Sequence, residues 1–200
     1  AFGFTVVPPS KNGASRDFAA RLLDKVMELA GKEDTSNVDL NKHENRPAYG
    51  RQLFHLLAKD PLFIEAAMNP VVRTFGSYLL GHSYLLYSMV AFLKEAPARS
   101  TAVTPVMAEP GSLVVFHGNT WHCTYPKTSE TARAHIATAF CRNYINPAED
   151  YSDLDTKLIA PHGDELARLV GHKAWQGYGS EGPKLENMLL VRPAYQTMYG

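Results

Sequence analysis

The stretch Gly111-Ser-Leu-Val-Val-Phe-His-Gly-Asn-Thr-Trp-His122 leads through a polar segment to Arg133, eleven residues after the histidine. Those residue types, in that order, suit the binding of a small anion. An apolar strand from Leu113 to His117 delivers His122 at its far end. A polar loop over residues 123–132 follows, and a long strand then runs from Arg133 to Ile145. Side chains alternate along a strand, so Arg133, His135, Ala137, Ala139 and Cys141 share one face. That face is small and polar, whereas Ile136, Phe140 and Tyr144 make the other one bulky. A guanidinium at the mouth of a wall of small residues leaves room for an anion. Its planar fork matches a carboxylate through two parallel hydrogen bonds.

Each of these residues also has a plainer reading. A lone histidine at a strand end is as readily a hydrogen-bonded surface or core residue as a ligand, and Arg133 can pair with Glu130. His117 lies five residues before His122 and points to the other face, which suits a structural role. His135 reads as a satisfied wall residue. Cys123 reads as a small filler, because no Cys–His pattern activates it. His43, His55, His82 and His172 have no partner pattern and read as structural or exposed. A literal His-x-Asp occurs at His162-Gly163-Asp164, in a Pro-Gly turn. There Asp164 reads as the N-cap of the helix that follows.

The elements that must position these groups change period along the chain. Phe2 to Val7 reads as a strand stopped by Pro8-Pro9. Phe18, Leu22, Val26 and Leu29 predict a helix over 16–30 with Gly31 as its C-cap. Residues 31–47 read as a polar surface loop. Leu53, Phe54, Leu56 and Leu57 predict a second helix from Arg51 to Lys59. Asp60-Pro61 and Asn69-Pro70 each place an N-cap residue before proline and mark two further helix starts. The second of these helices ends at Gly81. Tyr84 to Leu93 is a continuous apolar, β-rich run, which predicts a strand buried on both faces. Ala102 to Met107 reads as another strand, and Glu109-Pro110-Gly111 as a turn. Beyond residue 145 the chain reads as helix and loop, with Asp164 to Val170 helical and a glycine-rich stretch from Trp175 to Gly179. Helices first and strands later predict an α+β fold, with helices packed on an antiparallel sheet or barrel.

Composition sets the outer bounds. Two hundred residues predict a single domain, 1–200. Its helical layer spans 16–80, its core strands lie within about 84–145, and a helix-and-loop segment covers 146–200. Lys plus Arg equals Asp plus Glu at 20 each, which argues against a protein held mainly to nucleic-acid phosphates. No apolar run reaches the length of a membrane span. No basic and then apolar leader opens the sequence. Two cysteines, Cys123 and Cys141, make no disulfide framework, so a reduced, cytoplasmic setting is expected.

The segment from Gly111 to Arg133 resembles the C-terminal half of the phytanoyl-CoA dioxygenase family, a branch of the Fe(II)/2-oxoglutarate oxygenases. There a Gly-Ser/Asp-Leu-Val strand precedes an iron-binding histidine, and an arginine eleven residues later grips the distal carboxylate of 2-oxoglutarate. His122 and Arg133 keep that spacing, and Thr124 stands where the family commonly has a hydroxyl on the co-substrate. Gly3-Phe4-Thr5-Val6-Val7-Pro8 resembles the family's opening strand. Leu56-Leu57-Ala58-Lys59-Asp60-Pro61 resembles its helical segment, where a basic residue nine before the Asp-Pro often helps bind 2-oxoglutarate; Arg51 takes that place. Ser88-Met89 resembles a Ser-Met whose methionine lines the co-substrate pocket. The likeness covers most of residues 1–150. It implies a double-stranded β-helix, a cupin-like jelly roll with flanking helices. It also implies Fe(II), 2-oxoglutarate and O2 as cofactors. His122 would be both catalytic and a metal ligand, and Arg133 would be both catalytic and co-substrate-binding. Thr124, Met89 and Arg51 would be co-substrate contacts. The implied reaction hydroxylates an unactivated C–H bond of a small-molecule or acyl substrate and releases succinate and CO2. A neutral His122 is required for the metal, so iron binding is expected to weaken in acid.

The family pattern also demands eight core strands and a His-x-Asp before the distal histidine. This chain passes from Lys94 through Glu-Ala-Pro-Ala-Arg directly to what reads as a late strand. A β-helix without its middle strands would leave unpaired edges and an uncovered core. A further core segment is therefore expected near 94–102 in the intact protein, rather than a deletion or a degenerate homologue without metal. Two other outcomes stay open: a non-catalytic homologue that binds a small carboxylate without iron, and an iron enzyme that halogenates. The intact protein is expected to weigh well above 22.1 kDa; a mass spectrum at that value would remove the extra segment.

Overall fold

The computed structural model describes residues 3–32, 51–94, 105–120, 122, 133–172, 178–179 and 182–183. These form a mixed α+β chain of helices and small sheets. Strand β1 (Phe4–Val7) pairs antiparallel with β4 (Leu113–Phe116). A second sheet has the order β2 (Arg51–Leu53), β3 (Leu85–Lys94), β5 (Arg133–Cys141). Strands β6 (Tyr178–Gly179) and β7 (Gly182–Pro183) form a minimal antiparallel pair. Packing divides the chain into two compact units, Ala1–Val72 with Met89–Ala137, and Arg73–Ser88 with Thr138–Gly200. Among the described residues no helix is long and apolar enough to cross a membrane.

In the first unit, Pro9 at the first helical position starts α1 (Pro9–Asn12). Gly13, at φ +74°, ends it by donating its N–H to the Pro9 carbonyl. Helix α2 (Arg16–Lys32) runs through Gly31, where a C-cap was expected, and buries Val26 and Ala30. The expected helix over Arg51–Lys59 is corrected. Arg51–Leu53 is a strand, His55 adopts φ +54°, and only α3 (Leu56–Lys59) is helical. Pairing with β3 overrides the local helical spacing: Gln52 lies opposite Phe92 and Leu53 opposite Ala91. Asp60 then caps α4 (Pro61–Ala67) by accepting from the Leu62 N–H at 2.9 Å, as its sequence predicted. Lys25 of α2 reaches the same carboxylate at 3.2 Å. Leu53, Leu56, Leu57, Phe63 and Ile64 are all fully buried and form the centre of this core.

Asn12 ties these pieces together. It is 3% exposed. Its Nδ2 donates to the Val7 carbonyl at the end of β1 (3.1 Å) and to the Gly111 carbonyl before β4 (2.9 Å). Its Oδ1 accepts from the Ala14 N–H at 2.7 Å. Its own carbonyl accepts from Asn69 Nδ2 at 2.9 Å, and Asn69 Oδ1 in turn caps α5 (Pro70–Leu80) at the Val71 N–H. Gly111, at φ +86°, makes the turn into β4 that aligns its carbonyl. The expected strand over Ala102 to Met107 is not seen at residues 105–107, which are irregular; residues 102–104 lie outside the described set.

The second unit begins within α5, which stops at Gly81, where φ is +89°. Arg73 of α5 pairs with Glu165. Tyr84 donates its hydroxyl to the Arg73 carbonyl at 3.4 Å and packs edge-on against Phe140 (5.5 Å, 80°). Burial raises that phenol's pKa. Strand β5 ends at Cys141 rather than Ile145, because residues 142–145 close a turn in which the Ile145 N–H bonds the Arg142 carbonyl. Tyr144 is accordingly 75% exposed and belongs to no bulky β5 face. The Tyr87 carbonyl accepts from the N–H groups of Ala148 and Glu149. The buried Glu149 carboxylate accepts the Tyr151 hydroxyl, which burial and that bond hold well above the usual phenol range. Asp155 caps α6 (Thr156–Ile159) through the Lys157 N–H. A 3-10 turn, Ala160–His162, leads into α7 (Gly163–Leu169). The N-cap position of α7 is His162, so Asp164 is corrected to its first turn, where its charge favours the helix dipole.

Two stability predictions follow from these contacts. Replacing Asn12 by Ala would leave two half-buried carbonyls and one N–H without their partner, a loss of about 1–3 kcal/mol. Urea titration should show the midpoint falling with little change in slope; an unchanged midpoint would contradict the role given to this carboxamide. In a helix Gly→Ala ordinarily stabilises by about 1 kcal/mol. At Gly76, however, an added Cβ would lie 2.6 Å from Tyr84 Cε2 and Cζ. Gly76→Ala is therefore expected to destabilise by about 1–3 kcal/mol through overpacking, and a raised melting temperature would refute the close approach.

Candidate functional site

Strand β5 opens at Arg133, where the sequence places it. From there His135, Ala137 and Ala139 are exposed, whereas Ala134, Ile136, Thr138 and Phe140 are half-buried. The small row is thus the open one. Within the first unit, the rings of His135 and Phe92 stack at 4.9 Å and 7°, so the Arg133 row lies on the Phe92 side of β3. Gln52, paired with Phe92 on β2, continues that row and is half-buried. Strand alternation puts Met89, Ala91 and Leu93 on the opposite side, with Leu53, and all four are at most 1% exposed. One side of this sheet faces the packed core; the other carries Gln52, Phe92, Arg133 and His135 together with the buried Val90.

This division separates the candidates. Arg133 is half-exposed at the head of the open row. Met89 belongs to the core side, so its plain reading as a packing residue is the one its burial favours. Arg51 lies on β2 opposite Leu93. Thr124 falls outside the described residues, as do Cys123, Glu130 and His43.

His122 follows β4 at a distance, past a tight turn, and so is not on the strand itself. The Thr120 N–H closes that turn on the His117 carbonyl at 2.8 Å. His117 Nδ1 accepts from the Asn119 N–H at 3.2 Å, a structural role. Thr120 Oγ1 ties the turn to the Gly3 carbonyl at 3.1 Å. His122 Nδ1 lies 2.7 Å from the Thr120 carbonyl. A carbonyl only accepts, so Nδ1 carries the hydrogen, and in the neutral ring Nε2 keeps its lone pair. The ring also packs against Phe116 at 4.7 Å and 50°. An exposed imidazole oriented through Nδ1 is the arrangement that metal-binding histidines use. Strand β4 pairs with β1 and β5 with β3, so His122 and Arg133 come from different sheets, not from adjacent strands of one.

The remaining histidines take structural or surface places. His162 and Asp164 are absorbed by the start of α7. His172 Nε2 donates to the Tyr151 carbonyl at 2.6 Å. His55 and His82 are exposed. Among the described residues no group of three or more His, Cys, Asp or Glu side chains converges on one point as a metal site would. Sequence reasoning put His135 on the same face as Arg133, as a wall residue. The partner that orients it, Phe92, is 43 positions away and invisible to local spacing.

No protein-family model matches this chain, and no curated protein matches it significantly.

Proposed function

We propose that this chain is an Fe(II)- and 2-oxoglutarate-dependent dioxygenase of the phytanoyl-CoA dioxygenase type, built on a double-stranded β-helix and hydroxylating a small organic or acyl substrate. The observation that carries the reading is the pairing of two groups eleven residues apart. One is an exposed imidazole whose Nδ1–H is already engaged; the other is a guanidinium at the head of an open, small-residue strand face. The strand order supports the fold. Successive strands β3, β4 and β5 alternate between two sheets, as a winding two-sheet jelly roll requires and a simple meander does not.

The residues fit the co-substrate and one ligand of the metal. Arg133 would hold the distal carboxylate through its fork. His122 would offer Nε2, with Thr120 fixing the ring's tautomer and plane. Thr124 and Arg51 would assist at the co-substrate. When bound, Fe(II), 2-oxoglutarate and O2 supply an oxidation that releases succinate and CO2 and hydroxylates a C–H bond. The chain's own part is to hold the acid and orient the imidazole.

One observation favours a second reading. The sole His-x-Asp in the sequence, His162-Gly163-Asp164, is used to start α7. A protein that holds a small carboxylate at Arg133 without iron would need no such motif.

Absorption spectroscopy under nitrogen separates the two. With Fe(II) and 2-oxoglutarate the protein is expected to show a visible metal-to-ligand charge-transfer band. Arg133→Ala should raise the 2-oxoglutarate concentration for half-maximal absorbance about 10–150-fold, the loss expected for a charge-assisted bond, while sparing iron binding. His122→Ala should abolish the band. Carboxylate binding that needs Arg133 but no metal would favour the second reading, and absence of both band and binding would end both.

A further inference from the structure

We propose that Asn12-Gly13 is a site of spontaneous covalent modification, deamidation of Asn12 through a cyclic imide, which the folded first unit holds off and which local opening makes irreversible. The site is independent of the reading given to Arg133. Asn12-Gly13 is the sole Asn-Gly step in the sequence. Asparagine is among the thermolabile residues, and a following glycine, with no Cβ, leaves its own nitrogen least hindered. Bulk does not protect the step. Gly13 is exposed, and among the described residues nothing lies within 4 Å of where its Cβ would stand. Hydrogen bonds protect it instead.

In the reaction the Gly13 nitrogen gives its proton to hydroxide and attacks Asn12 Cγ. The new N–Cγ bond replaces Cγ–Nδ2, and Nδ2 leaves as ammonia. Water then opens the imide at either carbonyl, giving aspartate or its isoaspartyl isomer; nothing is oxidised or reduced. Each reacting group is engaged in the fold. The Gly13 N–H donates to the Pro9 carbonyl at 3.1 Å. Asn12 Nδ2 donates to the Val7 and Gly111 carbonyls at 3.1 and 2.9 Å, and Oδ1 accepts from the Ala14 N–H at 2.7 Å. Asn12 is 3% exposed, so its carboxamide cannot turn toward Gly13 without giving up those bonds. The product does not fit the same place. An aspartate oxygen standing where Nδ2 stands would face two carbonyls with no hydrogen to offer, and burying its charge there would be costly. The isoaspartyl isomer lengthens the backbone as well. Opening followed by reaction is thus a one-way departure from the native state.

Peptide mapping by mass spectrometry reads the amide-to-acid conversion at residue 12 in the wild-type chain, held at alkaline pH with and without urea. Conversion should be at least about tenfold slower in the folded chain, because only the opened fraction reacts. Weaker protection than that would overturn the proposal, and so would an unfolded chain in which Asn12 outlasts the other asparagines. Urea titration at neutral pH then compares Asn12→Asp with Asn12→Ala. Both lose the two donated bonds, but only the aspartate brings a charge, so its midpoint should be the lower of the two, or no folded state should form. A midpoint equal to or above that of Asn12→Ala would overturn the irreversible step.

Discussion

A single buried carboxamide holds the strand-bearing and helical parts of the first unit in register. Among the described residues Asn12 is one of two buried polar side chains, and it is satisfied on both ends: two carbonyls take its amide hydrogens and one N–H meets its oxygen. Removing a buried partner strands every group it served, so such a residue matters more than the net worth of its individual bonds. Its partners come from the end of β1, the turn before β4 and the loop after α1, and its backbone meets the cap of α5. The β1–β4 pair is short, and short pairs are marginal alone. The β4 turn is what leads on to His122, so the imidazole's placement depends on a residue far from it in sequence.

The second constraint is the period-two division of the β2–β3–β5 sheet. A strand presents alternate residues to opposite sides. Once Leu53, Met89, Ala91 and Leu93 are committed to the core, Gln52, Phe92 and His135 are committed to the other side. A register slip of one residue would exchange the two sets, and burying Arg133 unpaired would cost far more than the slip could return. The apolar packing of the first unit therefore also fixes which chemistry is presented on its open side.

Much of this was legible in local signals. Asp60-Pro61 and Asn69-Pro70 begin helices because their side chains accept backbone N–H groups and proline needs none. The helix spacing of α2, the turn at Gly111, the start of β5 at Arg133 and the shared row of Arg133 and His135 are likewise local. The misreadings share one cause. Leu53, Phe54, Leu56 and Leu57 carry helical spacing, but hydrogen bonding to β3 converts the first part to a strand. Met89, for which the sequence left both a pocket and a packing place open, lies among the buried side chains. Burial of Asn12 and the stacking of Phe92 on His135 have no local signature, because their partners are distant along the chain.

The sequence alone determined the α+β composition, the capped helix starts, the strand that begins at Arg133 and the eleven-residue interval to His122. These depend on side-chain chemistry and backbone preferences that act over a few residues. Tertiary structure decided which face of the sheet is open, that Met89 lies on the closed one, that β4 and β5 belong to different sheets, and that Thr120 and Phe116 orient the His122 ring. Those outcomes depend on pairing and burial between segments far apart in the chain, where hydrophobic packing and hydrogen-bond satisfaction outweigh local propensity.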